Sequence, residues 1–169
     1  MGLPVNPTIR ARRFRRMLDR WRASDDDRAA SGGQNPFQKG RAMKVTCDHL
    51  HLRSADPDKA GEAYVALFGA TVASRAETNG SLRVVVDLGG LHLFIERVPG
   101  DTRAAPPPPF VGIEHIGLRV ADLDAAAAEL RGKGAHFLVE PRSPRPGVKI
   151  AFVEGPDGVR IELLERAAG

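Results

Sequence analysis

Apolar and polar residues alternate from Val45 to Arg53, and the alternation returns from Ile113 to Val120. A period of two predicts a half-buried strand at each place. Both strands run into an Asp and then into helical spacing. In the first half, Asp56 supplies a capping side chain and Pro57 the first helical position. Pro57, Ala60, Tyr64, Leu67 and Phe68 then share one face, and Gly69 stops the helix. In the second half Asp122 opens a helix carrying Leu123, Ala126, Ala127 and Leu130, closed by Gly132 and Gly134. Three strand-like runs follow each helix. They are Thr71–Arg75, Leu82–Leu88 and Leu91–Val98, then His136–Glu140, Val148–Glu154 and Val159–Glu165. Asn79-Gly80, Gly89-Gly90 and Pro156-Asp157-Gly158 mark turns between them.

The chain thus reads as β-α-β-β-β twice. The first module covers 43–105, a Pro-rich linker 106–112, and the second module 113–169. The opening strands carry a repeat: Asp48-His49-Leu50-His51-Leu52-Arg53 returns 66 residues later as Glu114-His115-Ile116-Gly117-Leu118-Arg119. Either module alone would leave one sheet face bare. The two are therefore expected to pair, within a chain or across a dimer, in an α+β fold.

Charge separates the N-terminal arm from the rest. Residues 1–42 hold ten Lys/Arg against four Asp, a net of +6, while 43–169 hold fifteen Lys/Arg against seventeen Asp/Glu, a net of −2. Nothing in the modules marks a nucleic-acid surface. Within the arm, Phe14, Met17, Leu18 and Trp21 follow helical spacing among arginines, as in basic amphipathic segments that meet membranes or partners. The alternative is a disordered tail, with Met43 as a natural start. No apolar stretch approaches the roughly 18 residues of a membrane span, and no secretory signal is read in the arm. The single cysteine, Cys47, fits a reducing, cytoplasmic setting and is expected as a small buried residue.

The strand faces carry the candidate chemistry. His49, His51 and Arg53 oppose Leu50 and Leu52; His92, Phe94 and Glu96 oppose Leu91, Leu93 and Ile95. His115, Gly117 and Arg119 oppose Ile116, Leu118 and Val120, and Arg160, Glu162 and Leu164 oppose Val159, Ile161 and Leu163. The aliphatic faces are expected under the helices, and the opposite faces are expected to line one concavity holding four of the five histidines. Imidazoles beside a carboxylate suit Zn, Fe, Ni, Co or Mn and leave room for substrate.

With those residues placed, the chain resembles the vicinal oxygen chelate superfamily, the glyoxalase, bleomycin-resistance and extradiol-dioxygenase group, over roughly residues 45–166. The resemblance rests on Asp48-His49, on Glu114-His115, and on the closing stretch from Gly155 through Pro156-Asp157-Gly158 to Glu162-Leu163. It implies two β-α-β-β-β modules pairing into a curved sheet around a divalent metal ion (Zn, Ni, Co, Mn or Fe). His49, His115 and Glu162 match the family's metal ligands. At the fourth place glyoxalases carry Glu between aliphatics, where this chain has Leu91-His92-Leu93. His92 is expected to fill that place, with Glu96 or water as alternatives. A His, His and Glu trio also occurs in the dioxygenases and the fosfomycin-resistance enzymes.

Arg53 matches an arginine that glyoxalase I uses on a glutathione carboxylate, and Arg53 and Phe94 are expected to meet substrate. Glu162 and His51 are the expected proton carriers. The implied activity is a metal-dependent, glyoxalase-type lyase or isomerase acting on a small carbonyl or thioester through an enediolate. An iron-dependent extradiol-type dioxygenase and a non-enzymatic antibiotic- or small-molecule-binding protein are the alternatives. A homodimer is expected at this size.

Overall fold

Strand β1 (His49–Ser54) leads into helix α1 (Pro57–Phe68), then β2 (Thr71–Thr78), β3 (Ser81–Leu88) and β4 (Leu91–Arg97). After the Pro-rich connector come β5 (Ile116–Arg119), α2 (Leu123–Gly132), β6 (Phe137–Arg145), β7 (Val148–Glu154) and β8 (Arg160–Arg166). The computed structural model describes residues 44–167 apart from Asn79. The basic helix and linker read in 1–42 lie outside the described residues. Among those described, no helix is long and apolar enough to cross a membrane.

Each module makes its own four-stranded mixed sheet, in the order β1-β4-β3-β2 and β5-β8-β7-β6. The chain leaves β1 through a helix and two antiparallel strands, so its fourth strand returns parallel to the first. The second module does the same with β8 beside β5. Both helices start as their sequences dictate. Lys59 N–H donates to Asp56 Oδ1 at 3.3 Å, and Ala125 N–H donates to Asp122 Oδ1 at 3.0 Å. Helix α1 stops at Gly69, whose φ of 68° is a left-handed value that glycine adopts without steric cost.

The aliphatic faces settle as expected. Leu82, Val84 and Val86 of β3, Leu93 and Ile95 of β4, and Ile161 and Leu163 of β8 are all buried. They join Tyr64 of α1 and Leu123 and Leu130 of α2 in one continuous core spanning both modules. Residues from Cys47 onward form one compact unit.

Three local expectations are corrected. The first strand starts at His49, not Val45, and the exposed stretch before it leaves Cys47 exposed rather than buried. The fifth starts at Ile116, so His115 sits on the residue just before it. The strand expected over His136–Glu140 is edge strand β6, which runs on to Arg145. Its pairing with β7 shifts register between Val139 and Arg142 and again between Arg142 and Arg145. Pro141 and Pro144 lie in those two intervals and have no N–H to give a ladder, which confines them to an edge.

Candidate metal centre

In module 2 four side chains converge: Glu114, His115, Arg160 and Glu162. His115 Nδ1 donates to the carboxylate of Glu114, and Glu114 Oε1 lies 2.7 Å from Arg160 Nε. That leaves His115 Nε2 free on the other side of the ring, 3.4 Å from Glu162 Oε2. A carboxylate on one imidazole nitrogen fixes the tautomer and raises the basicity of the other. Phe152 meets the His115 ring edge-on at 5.2 Å and carries the Arg160 guanidinium 4.9 Å from its centroid. Gly117 pairs with Glu162 across β5 and β8. A Cβ at Gly117 would already stand 3.5 Å from Glu162 Oε2, and any larger side chain would press on the carboxylate. The donor chemistry fits a divalent cation: one neutral imidazole nitrogen and one carboxylate oxygen, half-buried and close enough to share an ion.

Module 1 repeats half of this. His49 Nδ1 donates to Asp48 Oδ2 at 2.6 Å, again leaving Nε2 free. The His49 ring stacks on Phe94, with centroids 4.0 Å apart and planes 9° from parallel. His51 Nε2 lies 2.8 Å from Glu96 Oε2, and Arg83 Nη2 donates to the same oxygen at 2.9 Å. Arg53 Nη1 stands 3.4 Å from Glu96 Oε1. The Arg83 guanidinium above all, with Arg53 and His51 adding to it, holds the Glu96 carboxyl below the usual carboxylate range. Glu96 is therefore occupied by an ion-pair cluster. His92 is exposed and sits opposite His49 in the register.

Among the described residues, no group of three or more His, Cys, Asp and Glu side chains is placed to hold a metal. The aliphatic faces of both modules join one core with the two helices, and the candidate residues stand at the alternate positions of the strands. His136 is exposed and pairs with Glu154 at 2.9 Å, away from either half. The sequence reading assigned no role to Asp48 or Glu114. Their signal was an acid directly before each repeated histidine.

The family model for the glyoxalase/bleomycin resistance protein/dioxygenase superfamily matches residues 46–163. The chain belongs to this superfamily. It is 40% identical over 58 residues to a probable lactoylglutathione lyase of Synechocystis, an alignment covering 34% of this chain and 44% of that protein. It is 33% identical over 84 residues to a 2-epi-5-epi-valiolone epimerase of Actinomyces, covering 47% and 46%. These matches span less than half of either relative's length. The crystal structure of a glyoxalase family protein from Enterococcus faecalis superposes with a TM-score of 0.62 at 23% identity. That match covers 73% of this chain and 98% of the other, and shows the fold.

One described recess takes Gly117 and Arg119 from the His115 face but none of the candidate ligands. A cleft of about 560 Å³ lies between the modules, walled by Leu67, Phe68, Leu88, Leu91, Leu118 and Leu130, and none of the five histidines lines it.

Proposed function

We propose that this chain is a metal-dependent lyase or isomerase that binds adjacent oxygens of a small carbonyl or thioester substrate at a centre made by His49, His115 and Glu162. The observation that carries this is the approach of His115 Nε2 to Glu162 at 3.4 Å, with Glu114 fixing the imidazole. Asp48 orients His49 in the same way. The lyase and the epimerase among the relatives support the reaction class.

A divalent metal bound there would polarise the substrate oxygens and stabilise the enediolate or oxyanion as it forms. Glu162 would help hold the metal, and its carboxylate is also the nearest group to carry a proton. His51, tethered to Glu96, is the next proton carrier, and Arg53 on the same face meets an anionic end of the substrate. The centre is completed between two copies of the chain, one giving His49 and the other giving His115 and Glu162. That no three His, Cys, Asp or Glu side chains are grouped to hold a metal among the described residues supports that reading.

Elemental analysis tests it. About one Zn, Ni, Co or Mn per chain is expected, lost in His115→Ala and in Glu162→Ala, with turnover of α-oxoaldehyde hemithioacetals or thioesters. Absence of metal after reloading overturns the proposal.

One observation favours a second reading. Glu96 is tied to Arg83 and His51, so module 1 offers His49 without a free carboxylate. Two histidines and one carboxylate suit non-haem iron, and iron with catechol-dependent oxygen uptake would make the protein an extradiol-type dioxygenase.

A further inference from the structure

The internal repeat gives each residue of one module an equivalent in the other, and strand pairing refines that equivalence beyond what alternation provides. His51 of β1 is the repeat partner of Gly117 of β5. Gly117 pairs with Glu162, whereas His51 pairs with Phe94. Leu50 with Leu93 likewise matches Ile116 with Ile161. Phe94 thus stands in module 1 where Glu162 stands in module 2, and His92 stands where Arg160 does. Arg160 serves Glu114 and stacks on Phe152.

The contacts agree with the register. Phe94 packs its ring face on the His49 ring, with centroids 4.0 Å apart. A phenyl ring has no lone pair to donate. It can only exclude a ligand and hold the imidazole plane. Glu96, the nearest carboxylate on that strand, is held away by Arg83, whose guanidinium lies 5.5 Å from the Phe94 centroid.

We propose that Phe94 closes the fourth protein position of the centre, so that His49, His115 and Glu162 hold the metal alone and His92 lies outside its coordination. This rests on the metal centre proposed above. A fourth protein ligand would leave a six-coordinate ion two free places; three leave it three, enough for both oxygens of a chelating substrate and one further small ligand. Phe94 is a positioning residue: it acts on His49 and walls that side of the open places with an apolar surface.

Cobalt(II) titration of the full chain, followed by visible absorption, tests this without any substrate. Phe94→Glu restores the missing carboxylate, and it is expected to tighten Co(II) binding by about tenfold or more and to change the absorption bands. His92→Ala removes an exposed side chain and is expected to stay within about twofold of wild type. Should Phe94→Glu not fold by circular dichroism, Phe94→His offers a donor from a ring of similar shape. Loss of Co(II) binding in His92→Ala overturns the inference, as does a folded Phe94→Glu with unchanged affinity and spectrum. A wild type that binds no Co(II) overturns the metal centre as well. Binding that is lost in both Glu162→Ala and His92→Ala overturns the Phe94 assignment alone.

Discussion

Module 1 and module 2 share strand order, parallel outer pairing and Asp-capped helices, yet they differ at the cross-strand pair beside the repeated histidines: His51 with Phe94 against Gly117 with Glu162. One module spends that pair on a carboxylate beside a histidine and clears space for it with glycine. The other fills it with an aromatic stack and moves its carboxylate two residues on, into a cluster with Arg83 and His51. Both changes lie on the face away from the core. The core face keeps the fold, and the outer face is free to change chemistry. On the function proposed above, that difference makes the modules complementary halves rather than two copies of a site.

The largest effect should separate the two carboxylates. Glu162→Ala is expected to weaken metal binding by more than about 100-fold, since it removes a ligand and not merely an orienting partner. Glu96→Ala should leave metal binding in place. Isothermal titration of both variants checks this, and metal loss from Glu96→Ala would break the asymmetry. In the core the modules should instead behave alike. Leu93 and Ile161 are fully buried in the same cluster. Leu93→Ala and Ile161→Ala should each cost about 2–5 kcal/mol in urea unfolding, with a single transition. Two transitions would show that the modules do not share a core.

Smaller effects sharpen the comparison at the histidines. Glu114→Gln should cost about 10–100-fold in metal affinity. Asp48→Asn should cost less, because the Asp48 side chain is 84% exposed. Equal losses would mean that exposure does not decide the strength of the orienting bond.

Glu96 gives the smallest effect, one of pH. Its carboxyl is depressed in the folded chain, chiefly by Arg83, so its contribution to stability is present above the ordinary carboxylate range and fades as pH falls through its folded value. The stability difference between wild type and Glu96→Gln, from urea unfolding, should be flat near neutrality. It should shrink on acidification, and a difference undiminished at about pH 3 would contradict that sign.

Much of this was legible in the sequence, and what was not has particular physical reasons. Alternation fixed which residues of β1, β4, β5 and β8 face the helices, and Asp56 and Asp122 marked both helix starts. Alternation has a period of two, however, so His92, Phe94 and Glu96 share a face and look equivalent until pairing ranks them. The Leu91-His92-Leu93 context resembles a ligand context, while the register gives the equivalent of Glu162 to Phe94. Pro141 and Pro144 hid the run of edge strand β6 beyond Glu140. The single concavity was expected from strand faces alone, and alternation does not report how two sheets are placed.

The most direct test of a centre shared between chains mixes His49→Ala with Glu162→Ala, each of which should hold no metal alone. Subunit exchange in a mixed dimer brings the intact His49 of one chain to the intact His115 and Glu162 of the other. Random pairing should then recover about one metal per four chains. Recovery of none, with wild type holding one per chain, would contradict the account.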